Sequence, residues 1–368
     1  MNPKLIINLF KLRTNLDRLV DRCHAVGIKT AIVTKVFCAD ERICRMISES
    51  EADAFADSRV QNLAAIAELH SDKPTQLLRI SMQSEVEDVV RYADISMQSE
   101  KETIRLIGGA AKKLGKVHKI ILMVDMGDLR EGIFNTDEAQ IFSAAEAILA
   151  EPALEFHGIG VNLTCYGGII PDETNLGGLL AIADKLRKRY SVPLPIVSGG
   201  NSSMLTMLEE NRIPEGITQL RLGESFVLGN NTESGKPVEW LNTDCFTLEA
   251  ELVEVQRKPS KPIGTSGLNA FGERVTFEDR GEMIRGILAI GRQDVNPDGL
   301  TPLDPDVEII GASSDHLIVN LTNCKKYKVG DTLRFIPDYG ALLKLTTSKY
   351  VHREYAVCPL LRMCDIQS

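Results

Sequence analysis

This 368-residue chain has no Cys-x-x-Cys pair, no run of lysine and arginine that suggests a nucleic-acid patch, no Gly-rich dinucleotide turn after an early strand, and no apolar run near the roughly 20 residues of a membrane span. Each absence removes a class of function. Its eight cysteines (Cys23, Cys38, Cys44, Cys165, Cys245, Cys324, Cys358 and Cys364) are scattered and read as reduced thiols, not a disulfide framework. A net charge of −9 and a pI near 5.4 argue against nucleic acid as a partner and leave a small molecule as the expected ligand. The opening residues, Met1-Asn-Pro-Lys-Leu-Ile-Ile-Asn-Leu-Phe-Lys-Leu-Arg13, carry charges where a signal peptide needs an unbroken apolar core, so a soluble cytoplasmic protein without a membrane partner is expected. With 43% hydrophobic and 25% charged residues, the chain can bury a large core.

From about Asn8 to Gly229 short apolar runs alternate with stretches of helical period, the pattern of repeated βα units. The expected strands are 31–34, 54–56, 77–80, 95–96, 119–124, 154–160, 195–198 and 219–221. Helices are expected at 100–114, capped by Ser99, and at 137–150. Eight such units point to an α/β fold, a TIM (β/α)8 barrel over 1–229, the first few residues being free to join a later domain. A doubly wound open sheet would carry a Gly-rich turn where the first strand instead runs into Lys35-Val-Phe-Cys38. The hexapeptide Ile80-Ser-Met-Gln-Ser-Glu85 recurs as Ile95-Ser-Met-Gln-Ser-Glu100, and both copies read as a strand ending at a serine-capped helix. After Gly229, Asn230-Asn-Thr-Glu-Ser-Gly-Lys-Pro237 reads as a linker. The alternation of Cys245-Phe-Thr-Leu-Glu-Ala-Glu-Leu-Val-Glu-Val255 then opens a β-rich domain, 230–368, with further strands at 283–290, 307–311, 316–320 and 332–336.

In such a barrel the chemistry lies at the C-terminal ends of the strands. Lys35 ends the first one, and a buried lysine there can hold a carbonyl cofactor as a Schiff base, although strand-end lysines more often point into solvent. Ser198-Gly-Gly-Asn-Ser-Ser-Met-Leu205 offers backbone N–H groups and hydroxyls to a phosphate, or simply caps a helix. Leu220-Arg-Leu-Gly-Glu-Ser-Phe-Val-Leu-Gly229 places an arginine and a glycine after the eighth strand, where barrel phosphate sites are commonly built. The three signals agree in position and order.

Across nearly its whole length the chain resembles the alanine racemase family of fold-type III pyridoxal phosphate enzymes. The segments Val33-Thr-Lys-Val-Phe-Cys-Ala-Asp40, Met126-Gly-Asp-Leu-Arg-Glu-Gly132 and Ala289-Ile-Gly-Arg-Gln-Asp-Val295 are similar to its ornithine racemase branch. The resemblance implies a pyridoxal 5′-phosphate-dependent amino-acid racemase acting on ornithine or another basic amino acid, as an antiparallel homodimer whose active sites borrow residues from the partner's β domain. It implies that Lys35 forms the Schiff base and is one of two bases at Cα. Ser202, the backbone around Gly223 and Glu224, and Tyr339 would then bind the phosphate. Arg221 would face the pyridine nitrogen, to which it can donate but not yield a proton. Arg130 would lie near the cofactor's phenolic oxygen and the substrate carboxylate, and Asn162 stands beside the ring arginine where the family commonly has histidine.

Two departures bear on mechanism. Met123 stands where many alanine racemases carry a carbamylated lysine, so Arg130 must be positioned otherwise. Arg292 stands where they carry a catalytic tyrosine, and an arginine with a pKa above about 12 is a poor base. The second base is sought among Asp294, His316, Cys165 and Tyr166. Asp294, Asp315 and Asp338 offer carboxylates to a cationic substrate side chain. A non-catalytic PLP-binding protein would share the barrel but lack the β domain. In a D-threonine-aldolase-like lyase a metal-binding His/Cys pair would be expected near the C-terminus, and His352 and Cys358 lack that close spacing, so no metal is expected.

Overall fold

The apolar runs of the first two thirds of the chain form eight parallel strands in a computed structural model, which describes residues 3–324 and 326–356; Cys358 and Cys364 lie outside these. They are β1 (Lys29–Val33), β2 (Ala54–Asp57), β3 (Thr75–Leu77), β4 (Ile95–Gln98), β5 (His118–Asp125), β6 (Leu154–Gly160), β7 (Ile196–Ser198) and β8 (Gln219–Leu222). Each pairs in parallel with the next, and β8 pairs with β1, closing a TIM barrel. Strands buried on both faces explain the continuous apolar runs. Ile95, Met97, Ile121, Met123 and Ile196 form one cluster, and Ala31, Val33, Ala54 and Ala56 another.

The repeated hexapeptide has two structures. Its second copy provides β4, whereas the first follows a strand that ends at Leu77 and folds into a short 3-10 turn at Gln83–Glu85. There Glu85 accepts from Arg79 and from the Met82 N–H (2.9 and 3.1 Å), and Gln98 of the second copy donates to Ser81 of the first (2.6 Å). Tertiary partners decide between the two, since local propensity is identical. Neither copy is serine-capped: the helix Lys101–Leu114 starts after Glu100, whose side chain makes no capping bond. By contrast Asp137 caps Glu138–Leu149 by accepting from Gln140 N.

Contacts divide the chain into residues 12–243 and a second unit made of the first 11 residues and those from 244 on. Residues 230–243, placed above in the β-rich domain with 230–237 as its linker, cluster with the barrel, where polar side chains tie them. The buried Asn15 amide donates to Phe226 O and Asn242 O and accepts from Asn242 N (3.2, 2.9 and 2.7 Å), and Arg22 stacks on Trp240.

In the second unit, strands Leu300–Pro302, Thr332–Pro337, Phe246–Pro259, Glu282–Leu288, Leu317–Asn320 and Glu308–Ala312 pair in that order, all antiparallel. Lys4–Asn8 adds an antiparallel edge to Phe246–Pro259 and pairs in parallel with His352–Ala356. Among the described residues no helix is long and apolar enough to cross a membrane.

One core group makes the barrel acid-sensitive. His118 is buried with Nε2 2.8 Å from Ser96 Oγ, and burial pushes its pKa down from 6.5 to about 4. The unfolded chain therefore binds a proton near pH 6.5 and the folded chain only near 4. Stability is complete above 6.5 and falls through that window, by about 3 kcal/mol for a shift of this size. His118→Gln is expected to flatten the pH dependence of the urea midpoint between pH 6.5 and 4; an unchanged slope would place the acid sensitivity elsewhere.

Candidate active site

β1 delivers Thr34 and Lys35 to the C-terminal mouth of the barrel, where Lys35 opens a short 3-10 turn, Lys35–Phe37. Thr34 Oγ1 donates to Asp57 Oδ2 at the end of β2 (2.5 Å), and Asp57 also accepts from Arg59 N and Asn62 Nδ2. Burial pushes the Lys35 ammonium below its usual pKa and Arg130 adds to this, while Cys165, Asp57 and Glu131 oppose it. A larger share of neutral amine at physiological pH makes a better nucleophile toward a carbonyl.

The loop after β5 is built by its own aspartates. Asp125 Oδ1 accepts from Gly127 N and Leu129 N, with Leu129 in the left-handed region (φ +55°). Gly132 sits at φ +120°, and a Cβ there would lie 2.6 Å from Asp125 N, so only glycine fits. Fully buried Asp128 crosses to the loop after β6, accepting from the backbone N–H of Cys165, Tyr166 and Ile169 (3.2, 3.0 and 3.2 Å). Between them Arg130 makes a two-pronged pair with Glu131: Nη2 donates to Oε1 at 2.6 Å, and Nε to Oε2. Cys165 is exposed at this mouth; its sulfur donates to Asn162 Oδ1 (3.5 Å) and accepts from Asn201 Nδ2 (3.2 Å).

Arg221, on β8, is buried and, among the described residues, donates only to neutral groups: Ser198 Oγ (2.5 Å), Val161 O (2.7 Å) and Asn162 Oδ1 (3.4 Å). Burial lowers its pKa to about 10, which still leaves it charged near neutrality. Beside it, buried Ser202 Oγ accepts from Gly223 N and Ser225 N (3.3 and 3.2 Å) and pairs with Ser225 Oγ (2.9 Å). Glu224 opens the helix Glu224–Leu228, and a Cβ at Gly223 would press on Val33 Cβ at 3.1 Å. Ser203 Oγ is buried with no hydrogen-bond partner among the described residues. Backbone amides, hydroxyls and a side-chain-free glycine suit a phosphate, an amine suits the aldehyde, and a permanently charged arginine suits a ring nitrogen, so this donor set fits pyridoxal 5′-phosphate.

The barrel unit thus brings together Lys35, Arg130, Asn162, Cys165, Ser202, Arg221, Gly223 and Glu224. Met123 is fully buried in the apolar barrel cluster and offers Arg130 no charge. Tyr339, Arg292, Asp294 and His316 belong to the other unit. There Tyr339 is half-buried at the start of the helix Tyr339–Thr347, which the Asp338 carboxylate caps by accepting from Ala341 N. Asp294 is buried and accepts from Ser348 Oγ (2.6 Å), whereas His316 and Asp315 are exposed. Arg292 stacks over Phe271 at 5.2 Å. Asp304, Asp306 and Cys324 gather ligand atoms within 4.8 Å, but the Lys326 ammonium lies 2.7 Å from Asp304 and Cys324 Sγ donates to the same oxygen, so the cluster is internally paired. Reading the sequence missed Glu131, Asp128, Asp57 and Asn201. The first two lie inside the very motif that carries Arg130, and Asp57 ends an apolar strand as Lys35 does.

The profile of the alanine racemase N-terminal domain matches residues 7–230. The ornithine racemase of Acetoanaerobium sticklandii is 48% identical over 96% of this chain and 99% of its own length. The lysine racemase of Thermotoga maritima is 38% identical over 96% and 98%. Among solved structures, an alanine racemase of Clostridium difficile superposes with a TM-score of 0.72 at 16% identity, covering 97% of this chain and 96% of that one, a likeness of fold. A profile spanning more than half of the chain, together with a relative at this identity over nearly its full length, makes this protein a member of the alanine racemase family, with pyridoxal 5′-phosphate as its cofactor.

Proposed function

We propose that this chain racemises a basic amino acid, ornithine before lysine, with Lys35 and Cys165 exchanging the Cα proton. The observation that carries this reading is the convergence of Lys35, Arg130, Cys165 and Arg221 on one mouth, each acting electrostatically on Lys35 or Cys165. The substrate class rests on the two curated relatives, named for ornithine and lysine.

When bound, the cofactor withdraws electrons from the amino acid and so acidifies its Cα proton. Ser202, Ser225 and the amides of Gly223 and Glu224 would hold its phosphate. Arg221 would donate to the ring nitrogen without surrendering a proton, which would limit charge delocalisation into the ring and the side reactions that follow from it. Arg130 orients the substrate carboxylate. The Lys35 amine takes or returns the proton on its face of Cα, and the Cys165 thiol does so on the other. Partial desolvation pushes that thiol up, while Arg130, Lys35 and Arg221 pull it back. Asp294 and His316, in the other unit, are the alternative second bases; the same family resemblance supports an antiparallel homodimer, readable by light scattering, working in the cytoplasm where its thiols stay reduced.

With the cofactor and L-ornithine or L-lysine, chiral chromatography is expected to reveal the D-isomer. Bound cofactor with no D-isomer from any amino acid would instead favour a cofactor-binding protein, and a cleaved product would favour a lyase.

A further inference from the structure

We propose that Glu131 is the positioning residue of this site: it fixes the Arg130 guanidinium and serves as the shared counter-charge of Arg130 and the buried Arg221. The inference rests on the racemase reading only in what Arg130 is for.

Two guanidinium groups and an amine crowd one mouth, and among the described residues Arg221 meets only neutral hydrogen-bond acceptors. A buried cation without a compensating charge is costly. Glu131 supplies that charge from a half-buried position, supporting the ionised forms of both Arg221 and Lys35. Its Oε1 accepts from Arg130 Nη2 (2.6 Å) and from Asn162 Nδ2 (3.1 Å), and its Oε2 accepts from Arg130 Nε. Asn162 then turns its oxygen to Arg221 Nη2 (3.4 Å) and to Asn201 Nδ2 (3.2 Å). A continuous chain of bonds therefore runs from Arg130 through Glu131 and Asn162 to Arg221, and reversing the Asn162 amide would break it at both ends.

The two-pronged pair sits in a turn of unusual backbone, with Leu129 at φ +55° before the pair and Gly132 at φ +120° after it. Met123, fully buried and apolar, has no charge to offer the same arginine. A planar fork locked by one carboxylate loses less freedom on meeting a substrate carboxylate than a loose one.

The test uses Glu131→Gln, which keeps the shape and loses the charge, and Glu131→Asp, which keeps the charge one methylene short. Without cofactor, Cys165 is titrated with a chromogenic disulfide across pH, with Cys165→Ser as the blank. Glu131 raises the thiol's pKa, so Glu131→Gln is expected to speed labelling near neutral pH about threefold, with Glu131→Asp close to the parent. With cofactor, both variants are expected to lose kcat about a hundredfold on every amino acid turned over, as misplaced orienting groups do. Unchanged or slower labelling in Glu131→Gln would overturn the counter-charge. An intact kcat with KM raised only for cationic substrates would overturn positioning and make Glu131 a side-chain receptor. If the enzyme racemises nothing, the labelling arm still decides, so failure of the activity and failure of this inference remain distinct.

Discussion

Lys35→Ala is expected to abolish racemisation, by roughly 10⁴-fold or more, because one substitution removes both the covalent attachment of the cofactor and a proton carrier at Cα. The absorbance band near the visible edge that a lysine-bound pyridoxal gives should vanish with it. The loss should not come from unfolding. Burial and Arg130 hold the folded-state pKa of Lys35 below that of the unfolded chain, so near neutrality the unfolded state binds the proton more readily and this site opposes folding. Wild-type stability from this group rises as pH climbs through the folded pKa toward 10.5, and Lys35→Ala should lose that rise while unfolding no earlier at pH 7. A retained band, or a variant that melts well below the parent, would place the cofactor on another group or give Lys35 a structural role. Partial rescue of activity by a small primary amine would confirm that the missing part is an amine and not a packing element.

The barrel was legible because its strands are buried on both faces, which writes them as uninterrupted apolar runs. Leu154–Gly160 comes out of the sequence with the bounds it has in the structure. Strands whose pattern depends on a distant partner were not legible. His352-Arg-Glu-Tyr-Ala356 is mostly polar and becomes a strand only beside Lys4–Asn8, some 350 residues earlier in the chain. The hexapeptide repeat carries the same lesson in one sequence: identical residues form β4 in one copy and a turn in the other, because Gln98 of one needs Ser81 of the other.

In the site, the residues proposed for the chemistry were named from strand ends and from resemblance, whereas those bonded to them were invisible. Asp128 acts on three backbone amides about 40 residues away, and nothing in its own neighbourhood announces a partner there. Glu131 reads as one more surface acid until its pairing with Arg130 and Asn162 is seen.

Cys165→Ala is expected to split the two half-reactions. Racemisation inverts Cα only if protons are delivered to opposite faces of a planar carbon, so removing one carrier leaves exchange on the other face intact. In deuterium oxide, one enantiomer of ornithine should still wash out its Cα proton while the other becomes inert, with net inversion down about 10²- to 10⁴-fold, the usual worth of a positioned proton carrier. Cys165→Ser, with a hydroxyl far less acidic than a thiol, should behave like the alanine variant despite its similar shape, which separates proton transfer from packing. The Arg130, Lys35 and Arg221 charges that favour the thiolate add a further check: salt, which screens them, should move the alkaline limb of the exchange profile for the sensitive enantiomer alone. If Cys165→Ala racemises normally and Asp294→Asn or His316→Gln shows the one-sided loss instead, the second base comes from the β-rich unit.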